Sequence, residues 1–287
     1  MSKKLVSIIR RERILRLILL LGPSLIFLTI FFLLPFVICF LYSFYIFGTR
    51  TFRGWFYYYM KVFQPLYFKI FLRTLGIAVF TTFACLVLGY PVAYCIALKT
   101  GRFKSLLITL VVLPYWVSFL LRTYALKNIL ARRGIINMLL MGLGIISEPL
   151  PLLYNMLAVI IGMIYNYLPF TILPLYASIE KLDKKLLDAA RVLGANPLKT
   201  FIYITIPLTK PGIIAATILT FVPALGEFIV PALLGGPGTY FYGNIIWVAF
   251  IKMRNWCLGS AISIIFIVVT LTLIMLYSKY VGEEMTI

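Results

Sequence analysis

The chain contains no histidine. Mechanisms that rest on imidazole therefore drop out, including hydrolase triads, zinc-protease helices and haem ligation through histidine. Carboxylates are scarce too: eight Asp and Glu stand among 287 residues. Charged residues make up 12% of the chain, where a soluble protein carries about 25%. The four cysteines (Cys39, Cys85, Cys95, Cys257) form no C-x-x-C pair, and three lie inside apolar runs, so they read as buried and reduced. No G-x-x-x-x-G-K-[ST] phosphate loop occurs, which excludes ATP hydrolysis by that route. What is present is apolar: 63% hydrophobic residues, 16% aromatic. That leaves too little polar surface for a water-facing exterior, and the chain reads as an all-α integral membrane protein. Its net charge of +19 then follows from cationic loops on the inner side of a membrane rather than from a nucleic-acid partner.

A membrane-crossing helix needs about 20 mostly apolar residues. Leu17–Thr49, Thr74–Leu98, Ser105–Leu121, Pro149–Ile179 and Asn255–Ser278 contain no charge, and a sixth run starts at Pro211 and continues past Glu227. Six transmembrane helices place both termini on one side. The cluster Lys3, Lys4, Arg10, Arg11, Arg13 and Arg16 before the first run makes that side cytoplasmic. The resulting organisation is a basic N-terminus (1–16), a six-span domain (17–281) carrying a cytoplasmic loop (180–207), and a short cytoplasmic tail (282–287). Lipid is thus one partner. The outer loop Gly48–Lys69 has the Tyr and Trp content of an interfacial belt, and Arg122–Pro151 is a second outer loop.

The loop between the fourth and fifth runs is the most informative segment. On a helix over Glu180–Leu193, Leu182, Leu186, Ala189, Ala190 and Leu193 share one face, opposite Glu180, Lys181, Lys184, Asp188 and Arg191. Gly194 is placed to end that helix in a left-handed conformation, and Asn196-Pro197 to start a second one. Asp188-Ala189-Ala190, Gly194 six residues after Asp188, and Ile204-Thr205-Ile206-Pro207 resemble the E-A-A-x3-G-x9-I-x-L-P loop of ABC-importer permeases. Asp replaces Glu at the first position and Ile replaces Leu before the proline.

The resemblance extends to Leu113-Pro114-Tyr115-Trp116-Val117, Tyr167-Leu168-Pro169-Phe170, Leu173-Pro174-Leu175-Tyr176, Ser178–Asp183 and Gly226-Glu227-Phe228-Ile229-Val230-Pro231. These strings are similar to those of the spermidine/putrescine permeases (PotB-type, close to PotH-type). The resemblance implies the type I (MetI-like) permease fold in a bacterial inner membrane. It also implies partners: a second homologous permease subunit, two ATP-binding subunits that carry ATP and Mg, and an extracytoplasmic polyamine-binding protein. No cofactor and no catalytic or metal site is expected in this chain. Asp188, Ala189, Ala190, Arg191, Gly194 and Pro207 would couple it to the ATPase. Another cationic cargo such as iron remains open, as does a stand-alone channel or ion-gradient carrier.

Glu227 is the one acidic residue expected within a span, about 24 Å along a helix from Pro211. A carboxylate at that depth costs about 2.5–3.5 kcal/mol, so it faces a cavity or a partner. Two readings stay open: contact with cationic cargo, or a structural ion pair with Arg122. Pro223 should kink the helix just before it. Tyr115, Trp116, Tyr165, Tyr167 and Trp247 could offer ring faces to ammonium groups. Gly235-Gly236-Pro237-Gly238 reads as an outer turn rather than a phosphate cradle.

Overall fold

A computed structural model of the chain describes residues 20–44, 52–98 and 101–282. The basic N-terminal segment 1–16, Lys99, part of the first outer loop (45–51) and the tail beyond residue 282 lie outside the described residues. Every element within them is helical or turn. Four helices are long and apolar enough to cross a membrane: α1 (Leu20–Ser43), α4 (Pro65–Leu98), α8 (Met156–Glu180) and α14, whose spanning part is Trp256–Lys279. Between α1 and α4 lie the short helices α2 (Phe52–Trp55) and α3 (Tyr57–Val62). Two bent pairs also pass that test, and counting each as one span gives six: Gly101–Trp116 with Phe119–Gly142, at 94°, and Pro197–Leu208 with Lys210–Leu225, at 69°.

The third span is therefore not straight. Helix α5 (Lys104–Val112) runs into a tight turn at Leu113–Trp116, and the chain is extended at Val117 and Ser118 before α6 (Phe119–Leu130) and α7 (Ile135–Gly142). Pro114 lacks the backbone donor that would continue the helix. The second pair bends between α10 (Pro197–Leu208), which belongs to the loop ahead of the fifth span, and α11 (Lys210–Leu225).

The described chain forms two compact units. One contains residues up to Phe63 and Ala249–Ile267. Within it, Ser43 Oγ and Tyr59 Oη share a 2.7 Å hydrogen bond, and the Phe44 ring packs 5.6 Å from Phe56 and 5.4 Å from Tyr59. Asn255 caps the start of α14, its Oδ1 accepting from Leu258 N at 3.0 Å.

The other unit contains Gln64–Val248 and the chain from Val268 onward. Its core is the contact of α4, α8 and α11, with Tyr90, Ala93, Ala97, Ile172, Leu175, Ile179 and Ala216 buried together. Lipid supplies no hydrophobic drive between apolar helices, so small residues and polar side chains hold them. Gly212 lies so close to α8 that a Cβ there would stand 2.3 Å from the Ser178 Cβ. Thr171 and Thr220 share a 2.7 Å bond between α8 and α11, and Tyr90 reaches Thr209 at 2.6 Å.

Candidate functional site

The elbow between α8 and α11 departs from a single helix over 180–193. Glu180 ends α8 and pairs with Lys104 at 2.6 Å. The chain then breaks at Lys181–Asp183, where the Asp183 carboxylate caps α9 (Lys184–Val192) by accepting from Lys185 N at 3.0 Å. The buried stripe of α9 is Leu187 and Ala190, one turn apart, while Leu186, Ala189 and Leu193 from the expected apolar face are exposed. Helix periodicity groups residues on a face but does not say which face the rest of the protein covers.

The turn itself forms as its residues dictate. Gly194 has φ +81, Ala195 N donates to Ala190 O at 3.0 Å, and Gly194 N donates to Arg191 O at 3.0 Å, closing the helix in the left-handed manner glycine permits. Asn196 Oδ1 accepts from Lys199 N at 2.7 Å, and Pro197 stands at the first position of α10. Asp188 and Arg191 join at 3.2 Å on the open side of α9. Val192 and Leu193 at the tip are each 87% exposed and Leu198 is 65% exposed. Behind the tip, the Phe201 ring stands edge-on to Tyr90 at 5.3 Å and to Tyr94 at 6.0 Å. Pro207 lies in the last turn of α10, just before Thr209 bonds Tyr90. The elbow is thus joined through rings to the middle of the helical core.

Glu227 sits elsewhere than a continuous helix would place it. Helix α11 ends at Leu225, two residues beyond Pro223, and Glu227 lies in the break before α12 (Ile229–Leu234). Its carboxylate is 5% exposed as a residue, and one oxygen accepts from three backbone donors: Phe228 N at 2.9 Å, Ile229 N at 2.8 Å and Val230 N at 3.1 Å. The other oxygen accepts from Tyr167 Oη of α8. Pinning the turn from the far side, Asn244 Nδ2 of α13 (Tyr242–Trp247) donates to Phe228 O at 2.7 Å.

No ion pair joins Glu227 to Arg122 among the described residues. The Arg122 guanidinium is buried, 5.4 Å from the Tyr115 ring centroid and 5.7 Å from Phe119, and its Nε and Nη1 have no acceptor. The Glu227 carboxylate is already taken up by backbone donors, and the rings of Phe119 and Tyr167, 6.1 Å apart, belong to the same cluster. Tyr115 packs edge-on to Phe170 at 4.8 Å, and its hydroxyl, like Asn166 Oδ1, is buried without a partner.

The structure therefore brings Tyr115, Arg122, Tyr167 and Glu227 into one aromatic and polar cluster. It leaves out Trp116, which is 80% exposed, and Tyr165, two residues from Tyr167 on the opposite side of α8. Trp247 is exposed as well. Four members escape a reading based on charge and Tyr or Trp: Phe119, Phe170, Asn166 and Thr123. Asn166 donates to Thr123 Oγ1 at 3.1 Å and ties α8 to α6. A signal for it existed, because an amide within a charge-free run needs partners in the bilayer. Among the described residues no group of His, Cys, Asp or Glu is arranged to hold a metal.

Comparison with known proteins agrees with this architecture. Residues 86–281 match the family described as "Binding-protein-dependent transport system inner membrane component". The chain is 47% identical over 217 residues to the spermidine/putrescine transport system permease protein PotB of Escherichia coli K12, covering 76% of this chain and 77% of that one. It is 44% identical over 221 residues to PotB of Haemophilus influenzae, covering 77% of each. In fold it is similar to a chain of a bacterial ABC transporter that imports the polysaccharide alginate, with a TM-score of 0.79 over 98% of this chain at 19% identity. The chain belongs to the family of inner-membrane permeases that serve binding-protein-dependent ABC transport systems.

Proposed function

We propose that this chain is the permease subunit of an ATP-driven importer that moves spermidine and putrescine across a bacterial inner membrane by alternating access. The observation that carries the reading is 47% identity over three quarters of the chain to a permease of that name. On this reading a second homologous permease completes the pathway, two ATP-binding subunits hold ATP and Mg, and an extracytoplasmic polyamine-binding protein delivers cargo. Both termini are cytoplasmic. Residues 1–16 form a basic N-terminus, 17–281 the spanning domain with its loop at 180–207, and 282–287 the tail.

The mechanism is mechanical. The exposed apolar tip of the elbow, Val192 and Leu193, suits a cleft on an ATP-binding subunit, with the exposed Asp188–Arg191 pair placed to make polar contacts at its rim. Small exposed residues at Ala189 and Gly194 permit close approach, while Ala190 seats α9 against the rest of the chain. A push on α9 and α10 passes through Phe201 to Tyr90 and Tyr94 of α4, and through Thr209 into α11. The breaks at Val117–Ser118 and at Gly226–Phe228 are where the spans bearing Tyr115, Arg122 and Glu227 can swing. One carboxylate cannot balance a polyamine, so the second permease subunit contributes others across the shared pathway.

Reconstitution with a homologous permease, an ATP-binding subunit and a polyamine-binding protein tests this. Spermidine-loaded binding protein should stimulate ATP hydrolysis and ATP-dependent spermidine uptake. Uptake of another cation alone would replace the cargo, and uptake without the ATPase would return the channel reading.

A further inference from the structure

Two cations on α6 are held by aromatic faces and, among the described residues, by no carboxylate. Arg122 is enclosed. Lys127 is not: it is half-buried, with its Nζ 5.8 Å from the Tyr124 ring centroid and 5.7 Å from that of Tyr154. Both rings are open to the surroundings, at 44% and 56% exposure. An ammonium within about 6 Å of a ring centroid is attracted by the ring's negative face.

The chain commits an unusual backbone to this arrangement. Tyr154 has φ +63, in the left-handed region that a bulky side chain rarely adopts. Its N–H donates to Leu234 O at 2.9 Å, and Gly236 approaches so closely that a Cβ there would stand 2.1 Å from Tyr154 O. Asn155 locks the residues on its other side, donating to Pro151 O at 2.7 Å and accepting from Ala158 N at 2.8 Å. Tyr154 is thus clamped from the Gly235–Gly238 turn and from the start of α8, and its ring faces Lys127. Strained backbone of this kind persists where the surroundings impose it, and it gathers at ligand sites.

A lysine side chain is a primary alkylammonium on a four-carbon stem, the same chemistry as one end of a polyamine. We propose that Tyr124 and Tyr154 form a seat for a primary alkylammonium group of the cargo, which Lys127 occupies until cargo displaces it. The proposal rests on the polyamine reading above. It places the seat on the side of the α6–α8 connection, which the proposed orientation makes extracytoplasmic, so it is a receiving site separate from the Glu227 cluster. Ring faces without a carboxylate hold an ammonium weakly, which suits a group that must be passed on. They favour an alkylammonium over a small hydrated metal ion, whose water shell the rings cannot replace. Lys127 closes the seat at rest and cedes it to a competitor of its own kind.

Spermidine uptake by the complete complex in proteoliposomes, driven by loaded binding protein, tests the seat. Lys127→Met vacates it and should raise kcat/KM by about threefold to tenfold. Tyr124→Leu removes one face from an exposed helix position, with no hydrogen bond at stake, and should lower kcat/KM by a similar factor. In the double variant the gain from Lys127→Met should vanish. If both single variants stay within about 1.5-fold of wild type at equal amounts of assembled complex, the seat is overturned while the polyamine reading stands. If the wild-type complex hydrolyses ATP with its binding protein yet moves no spermidine, the polyamine reading falls, and the seat with it.

Discussion

Replacing Glu227 separates its capping bonds from the part in transport proposed for its charge, because its bonds are of two kinds. One oxygen accepts from the amides of Phe228, Ile229 and Val230, and the other from Tyr167 Oη. Glu227→Gln keeps an amide oxygen for the three backbone donors. Its NH2 then meets a tyrosine oxygen able to accept, while the hydroxyl hydrogen can turn to Pro223 O, already 3.3 Å away. What is lost is charge assistance, about 1 kcal/mol per bond, offset by no longer burying a charge. Glu227→Ala instead leaves three backbone donors without a partner at about 1–3 kcal/mol each, or roughly 3–6 kcal/mol after local relaxation. At about 2–4 °C per kcal/mol for a chain of this size, the alanine variant should melt at least 6 °C below wild type. The glutamine variant should stay within a few degrees. Thermal unfolding of the detergent-purified complex, read beside spermidine uptake, checks both. We expect Glu227→Gln to assemble normally and to lose most uptake. An alanine variant as stable as wild type would refute the capping role, and a glutamine variant transporting at wild-type rate would refute the charge's part in transport.

Gly194→Gln meets no atom within 4 Å of its Cβ but forces a side chain onto φ +81 at the elbow tip; we expect normal insertion with loss of ATPase association, measured by co-purification. Gly212→Leu drives a side chain into Ser178 at the α8–α11 contact and should abolish recovery of folded protein, read by size-exclusion chromatography after extraction. Arg122→Met removes a buried guanidinium with two unpaired nitrogens; because replacing a buried charge by an apolar side chain is often neutral or stabilising, the melting temperature should not fall. A drop of more than a few degrees would reveal an acceptor for Arg122 that the present arrangement lacks.

Much of this protein is legible without coordinates. The elbow is the clearest case: Gly194 and Asn196-Pro197 specify a helix stop and a helix start through their own backbone chemistry, and both form as the residues require. The face that α9 buries was not legible, because Leu186 and Leu187 are equally apolar and only the packed core behind the helix selects the second. Glu227 shows the same limit. A lone carboxylate in an apolar run announces that it needs partners, and Pro223 signals a bend, but neither says that the helix stops at Leu225 or that backbone amides would supply those partners.

Composition, the six apolar stretches and the scarcity of charge follow from the solvent the chain must live in, and lipid imposes that demand residue by residue. Which donor finds an acceptor is a different matter. Tyr167 meets Glu227 across 60 residues of chain, Lys127 rests between Tyr124 and Tyr154, and Arg122 is left with aromatic faces alone. Those outcomes depend on where helices distant in sequence come to lie, and a directional bond forms only when both of its ends arrive at one place.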